Sequence, residues 1–140
     1  MDCLFCKIVK HELPSYMILE NDETIAFLDI HPMAAGHTVV VPKKHAERMI
    51  DLPEASASAV FLTVKRISDI IHASLKPDGF TIGINDGVGQ GVPHLHIHVI
   101  PRWKTDGGSD IHAIVQNPPK ESIEDIAALL KNNTQHTANN

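Results

Sequence analysis

His94-Leu95-His96-Ile97-His98-Val99-Ile100-Pro101 alternates imidazole with aliphatic side chains three times over. In a strand, successive side chains point to opposite faces. The spacing therefore predicts a strand with His94, His96 and His98 on one face and Leu95, Ile97 and Val99 on the other. Same-face neighbours lie roughly 6.5–7 Å apart. The aliphatic face suits burial against a helix layer, which leaves the imidazole face towards solvent or a ligand. Aligned imidazoles serve two chemistries. They ligate zinc or iron, or they act as nucleophile and proton shuttle near neutral pH. A metal site draws ligands from more than one element and often adds a carboxylate. A phosphoryl site sets a phosphate-cradling loop beside the imidazoles.

The residues just upstream favour the second chemistry. Asn85 and Gly89-Gln90-Gly91 precede the histidines. Glycines let backbone amides approach an anion closely, and consecutive amides form an anion-binding nest. Asp86 is the only carboxylate in this turn, and the histidine strand contains none.

Composition bounds the rest. A chain of 140 residues with 43% hydrophobic content fits one globular domain. The net charge of -5 argues against a general nucleic-acid binder, which needs a basic face. It leaves room for a small phosphate ligand. No apolar run approaches the roughly 20 residues of a membrane span. Met1-Asp2-Cys3 opens no basic-then-apolar leader, so a cytoplasmic location is the expectation. The only cysteines, Cys3 and Cys6, are too close for an unstrained structural disulfide. Such a pair reads as half of a zinc site, as a redox couple, or as reduced thiols.

Along the chain, Phe5, Ile8, Val9 and Leu13 stand near helical spacing before Pro14. Tyr16–Glu20 and Thr24–Ile30 read as strands joined by a turn at Asn21-Asp22-Glu23. Asp29, at the exit of the second, is a turn cap or a ribose ligand; the turn cap is the simpler reading. His37–Pro42 is a β-branched strand opened by Gly36, and Lys43-Lys44-His45 follow as a basic loop. A long helix runs from Pro53 to Leu75, with a core stripe of Val60, Val64, Ile67, Ile71 and Leu75 widened by Phe61 and Ile70. Lys76-Pro77-Asp78-Gly79 end it. Phe80–Ile84 is a further strand, Ile111–Val115 has strand-like alternation, and Glu121–Lys131 forms a last helix. The expectation is one α+β domain over residues 1–131, mainly an antiparallel sheet with helices on one face. A polar, disordered tail over 132–140 follows.

His94-Leu95-His96-Ile97-His98-Val99-Ile100 resembles the signature of the histidine triad (HIT) family, His-φ-His-φ-His-φ-φ with φ apolar. Phe5 to Pro14, Ala26 to Ile30, Gly36 to His45 and Asn85 to Arg102 also resemble the Hint-like branch, especially bacterial members. The resemblance implies a HIT-like fold with a five-stranded, mainly antiparallel sheet, one long helix and one C-terminal helix. The sheet would continue across a homodimer. It implies a nucleotide hydrolase that cleaves nucleoside 5'-phosphoramidates or related conjugates, with purine nucleotides as substrates. His96 would attack the α-phosphorus and carry a nucleotidyl intermediate. His98 would attend the phosphate and leaving group, while His94 and His37 would fix the geometry. Asn85 and the amides of Gly89, Gln90, Gly91 and Val92 would hold phosphate oxygens. Asp29 then becomes the ribose ligand, with Phe5, Phe27 and Ile30 walling the base pocket. Zinc would be held by Cys3, Cys6, His45 and His94 in a closed structural site, with no catalytic metal. Many relatives carry a hydroxyl residue at the position of Gly91, which bears on leaving-group preference. His31 carries no assigned role. A dinucleoside polyphosphate hydrolase, a nucleotide-binding interaction module with low turnover, and a metal-dependent enzyme are the alternatives.

Overall fold

The structure, a computed structural model, describes residues 2–134. They divide into two compact units at Gly108/Ser109.

The first unit is built on one five-stranded antiparallel sheet in the order β1-β2-β3-β5-β4. Helix α1 spans Leu4–Val9. Strands β1 (Met17–Glu20) and β2 (Thr24–Leu28) form a hairpin. Asn21 Oδ1 closes its turn by accepting from the amides of Glu23 and Thr24, both at 2.9 Å. Strand β3 (Thr38–Pro42) pairs with β2. Helix α2 (Glu54–Leu75) crosses over to β4 (Gly79–Gly83), and β5 (Ile97–Arg102) inserts between β3 and β4. Helix α2 stops at Lys76, which takes a left-handed conformation with φ 51°.

The alternation along the strands distributes the core over both faces. Ala26, Val40, Ile97 and Val99 pack on Val60, Val64, Ile67 and Ile71 of α2. Complete burial of such a side chain is worth about 1.5–3 kcal/mol. On the opposite face, Ile25, Phe27, Val39 and Val41 pack on Cys3, Phe5 and Ile8 around α1. Helices on a single face are therefore not what is found. β2 and β3 are buried on both sides, because the two-turn α1 supplies enough apolar surface to cover the second face.

Three other expectations differ. The stripe of α2 contains Ser56 and Thr63, both buried, whereas Phe61 is 48% exposed, Leu75 43% and Ile70 39%. Thr63 Oγ1 reaches Thr24 Oγ1 at 2.6 Å, so its hydroxyl is satisfied inside the core. The strand of the histidine stretch starts only at Ile97, since the β3 partners begin at Val40 opposite Ile97. The imidazole face is divided: His94 is fully buried, whereas His96 and the partly exposed His98 line a cleft.

In the second unit, Ile111–Ala113 form a 3-10 turn capped by Asp110, not a strand. Asp110 Oδ1 accepts from the His112 amide, which favours the turn over extension. Helix α3 (Ile123–Lys131) begins at Ser122, whose side chain caps the Asp125 amide. Residues 132–134 of the expected tail are described and continue from α3 as a turn; the rest of that tail lies outside the described residues. No helix among the described residues is long and apolar enough to cross a membrane.

Candidate active site

Two clusters grow from the histidine stretch. The first lies at α1, with Cys3 and His94 buried and Cys6 and His45 half-buried. Cys3 is the N-cap of α1 and Cys6 lies in its first turn. The Cys6 amide donates to Cys3 Sγ at 3.3 Å. His94 Nδ1 lies 3.5 Å from each sulfur, and His45 Nδ1 lies 3.3 Å from Cys6 Sγ and 3.2 Å from His94 Nδ1. A tetrahedron with zinc–ligand bonds of about 2.0–2.3 Å has edges of about 3.3–3.8 Å, close to these spacings. His94 Nε2 donates to the Pro42 carbonyl at 2.8 Å. A carbonyl only accepts, so the lone pair of His94 is on Nδ1, facing the sulfurs. A backbone carbonyl behind a ligating imidazole is the common second layer of such sites. Burial pushes the His94 pKa down, and the nearby His45 and His96 act in the same direction against the Pro42 carbonyl. The residues fit a metal: two sulfurs and two imidazole nitrogens lie within 4.8 Å of one another.

The second cluster faces a cleft of about 660 Å³. Here the hydrogen bonds fix which nitrogen carries each proton. His96 Nδ1 donates to the His94 carbonyl at 2.7 Å. The lone pair of neutral His96 is therefore on Nε2. Met33 N–H donates to His37 Nδ1 at 3.0 Å, so neutral His37 carries its proton on Nε2. That proton goes to His98 Nδ1 at 2.9 Å, and His98 holds its own proton on Nε2. Asp29 Oδ2 stands 3.5 Å from His37 Nε2 and 3.9 Å from His98 Nδ1. Burial lowers the pKa of both His37 and His98. His96 and His37 add to the effect on His98, and Asp29 opposes it for both. Both are therefore neutral at pH 7. Asp29, His37 and His98 have the spacing of a metal set. However, the Met33 amide directs the His37 proton into the centre of that triangle, and a cation would have to displace it.

The aromatic frame comes from α1 and β2. Phe5 meets His96 edge-on with ring centroids 5.1 Å apart, and Phe27 at 5.5 Å. Phe5, Phe27 and Ile30 line the cleft, as do Asp29, Asn85, Gly89, Gly91, Val92, His96 and His98. The glycine turn adopts φ of +82° at Gly87 and +75° at Gly89, a region that disfavours side chains. A Cβ on Gly91 would meet nothing within 4 Å. His94 and His37 stand outside the cleft lining, behind His96 and His98. Gln90 is also outside it. Its amide nitrogen donates to the Glu47 carbonyl at 2.7 Å and its oxygen accepts from the Gly87 amide at 3.3 Å. Asp29 Oδ1 accepts from the His31 amide at 2.8 Å, as in the turn-cap reading, and the residue also lines the cleft.

Sequence reasoning missed Leu4, Ile8, Leu13, Pro14, Leu28 and Val39, which complete the apolar wall, and Ser15 and His31, which also line the cleft. The pairing of Leu4 with Ile8 at helical spacing carried a signal for that wall, but pointed equally to core. No Lys or Arg lines the cleft among the described residues.

Fold and site together define a small α+β protein with a histidine cluster on the floor of an apolar cleft, beside a glycine turn. The chain belongs to the HIT family: the HIT domain model matches residues 10–105. An uncharacterized HIT-like protein of Borreliella burgdorferi is 44% identical over 111 residues, 76% of this chain and 79% of that one. The adenosine 5'-monophosphoramidase hnt1 of Schizosaccharomyces pombe is 38% identical over 137 residues, 94% and 100% of the two chains. Among solved structures, a HIT family protein from Bacillus anthracis superposes with a TM-score of 0.84 at 33% identity, covering 95% of this chain and 97% of its own. A zinc-bound histidine triad family protein from Mycobacterium smegmatis gives 0.74 at 34% identity, covering 96% and 98%.

Proposed function

We propose that the protein hydrolyses nucleoside 5'-phosphoramidates or related nucleotidyl conjugates to the nucleoside monophosphate. The observation that carries this reading is the tautomer of His96: its Nδ1 proton is committed to the His94 carbonyl, which leaves Nε2 with a lone pair at the cleft. Neutral imidazole is a good nucleophile at pH 7. In this reading a bond forms between His96 Nε2 and the α-phosphorus as the bond to the leaving nitrogen breaks. Water then attacks the same phosphorus and releases His96. Over the cycle, water gives its hydroxyl to phosphorus and a proton to the nitrogen. His98, which holds a proton on Nε2 and is steadied by His37, is the group placed to carry it. Asn85 and the amides of Gly89, Gly91 and Val92 receive the phosphate oxygens, Asp29 takes the ribose hydroxyls, and the apolar wall takes the base. Preorganised donors of this kind supply most of the rate in such chemistry. The named activity of the fission yeast relative supports the leaving-group class.

The absence of Lys and Arg from the lining among the described residues favours one phosphate over a polyphosphate chain, and so favours this reading over the dinucleoside polyphosphate alternative. Zinc at Cys3, Cys6, His45 and His94 would pin α1 to the histidine stretch and stand apart from the reacting atoms. The homodimer belongs to the same reading; the sheet ends in two edge strands, β1 and β4, and continuation of the sheet would use one of them. The test is turnover of adenosine 5'-phosphoramidate. His96→Ala should abolish it while AMP still binds; near-normal turnover in that variant would refute the reading.

A further inference from the structure

The segment that leaves β3 makes an unbroken series of attachments to the region around the glycine turn. His45 joins the Cys3, Cys6 and His94 cluster. The Ala46 carbonyl accepts from the Leu95 amide at 2.7 Å. The Glu47 carbonyl accepts from the Gln90 side chain at 2.7 Å. Arg48 Nε donates to Asp86 Oδ1 at 2.5 Å, and the Met49 amide to Asp86 Oδ2 at 3.4 Å. The Arg48 guanidinium also lies across Gly87: a Cβ there would sit 3.3 Å from its Cζ and Nε. Neither Arg48 nor Asp86 lines the cleft, whereas Gly89 and Gly91 on the same turn do.

We infer that residues 45–49 are a strap that holds the phosphate-facing glycine turn in its binding shape, with Arg48 and Asp86 as positioning residues. The argument is one of conformational freedom. The turn contains two glycines at positive φ and only two internal backbone bonds, from the Val88 amide to the Asp86 carbonyl and from the Gln90 amide to the Gly87 carbonyl. Glycines of this kind have many alternative conformations. The strap removes them before a ligand arrives. If it is released, only a fraction of molecules present the amides correctly, and apparent affinity falls by that fraction. A bound phosphate restores the shape, so the chemical step is unaffected. Loss of uniform binding of this sort raises KM and leaves kcat in place. Gln90 acts in the same way, from behind the turn, not by touching the ligand.

The inference rests on the phosphate reading above for its kinetic consequence, but not for its structural one. The test uses the full chain with Arg48→Ala, Arg48→Lys, Asp86→Asn and the exchanged pair Arg48→Asp with Asp86→Arg. AMP affinity is measured by titration calorimetry, kcat and KM with adenosine 5'-phosphoramidate, and amide hydrogen exchange over residues 85–92 without nucleotide. Arg48→Ala and Asp86→Asn should raise the AMP Kd and the KM about 2- to 5-fold, with kcat within about two-fold and faster exchange in the turn. Arg48→Lys should keep most of the affinity, and the exchanged pair should return towards wild type. Unchanged affinity and exchange in the single variants, or a fall in kcat at constant KM, would overturn the strap. Wild-type protein that neither binds AMP nor turns over would instead overturn the phosphate reading, and the exchange data would still decide the strap. If Arg48→Ala fails to fold, Asp86→Asn decides.

Discussion

Acidification from pH 7 to pH 5 should destabilise this protein through its buried histidines. Burial holds His37 and His98 below the ordinary histidine pKa, with the neighbouring imidazoles adding to it at His98 and Asp29 opposing it at both. The unfolded chain takes up protons around the ordinary value, about 6.5. Below that pH the unfolded state therefore binds more protons than the folded state. Stability is full above about pH 6.5 and falls as the pH drops towards the lowered folded values. The slope has a ceiling of about 1.4 kcal/mol per pH unit for each histidine. His37 and His98 together can remove up to about 3 kcal/mol between pH 6 and pH 5, a large part of a typical 5–15 kcal/mol. Asp106, held far below the usual range chiefly by Arg102 and the Gly108 amide, titrates well below this window. Urea unfolding at pH 7, 6 and 5 with zinc saturating should show the midpoint falling with pH, and His37→Asn should flatten the dependence. A midpoint that stays level or rises on acidification would refute the burial argument.

Two further perturbations probe other parts of the structure. Cys6→Ser or a strong chelator should remove about one zinc per chain by metal analysis and lower Tm, while the folded fraction keeps measurable turnover. Complete loss of activity in folded, metal-free protein, restored by zinc, would place the metal in the chemistry. Gly36→Ala should cost more than about 1–2 kcal/mol in urea unfolding. Gly36 has φ +87° and a Cβ there would stand 2.6 Å from Leu75 Cδ1.

How much of this was legible in the sequence depends on the range of the signal. The histidine stretch, the Asn21 turn and helix α2 declare themselves through short-range patterns. Those patterns give a mainly antiparallel sheet; that it has five strands is what the family resemblance implied, since the patterns alone also offered Ile111–Val115 as a sixth. Burial of both faces of β2 and β3 was not legible, because a continuous β-branched run such as Thr38–Val41 does not say which helix covers which face. Nor was the exposure of Phe61, since an apolar stripe shows which side chains could be buried but not where the sheet ends. Asx-type capping at Asp110 overrode the alternation of Ile111–Val115. At the site, the residue types were legible and the long-range hydrogen bonds were not. The tautomers depend on Met33, Pro42 and the His94 carbonyl, groups that no motif marks. Gln90 sits inside the glycine turn in sequence, yet its side chain is claimed by Glu47, more than forty residues away.

The central claim is that His96 Nε2 becomes bonded to phosphorus. Mass spectrometry of protein quenched in acid-free denaturant during turnover of adenosine 5'-phosphoramidate tests it most directly. One adenylyl group should appear on the peptide containing His96, localised to that residue and absent from His96→Ala. Turnover with no adduct at any quench time, or an adduct that persists in His96→Ala, would contradict the account.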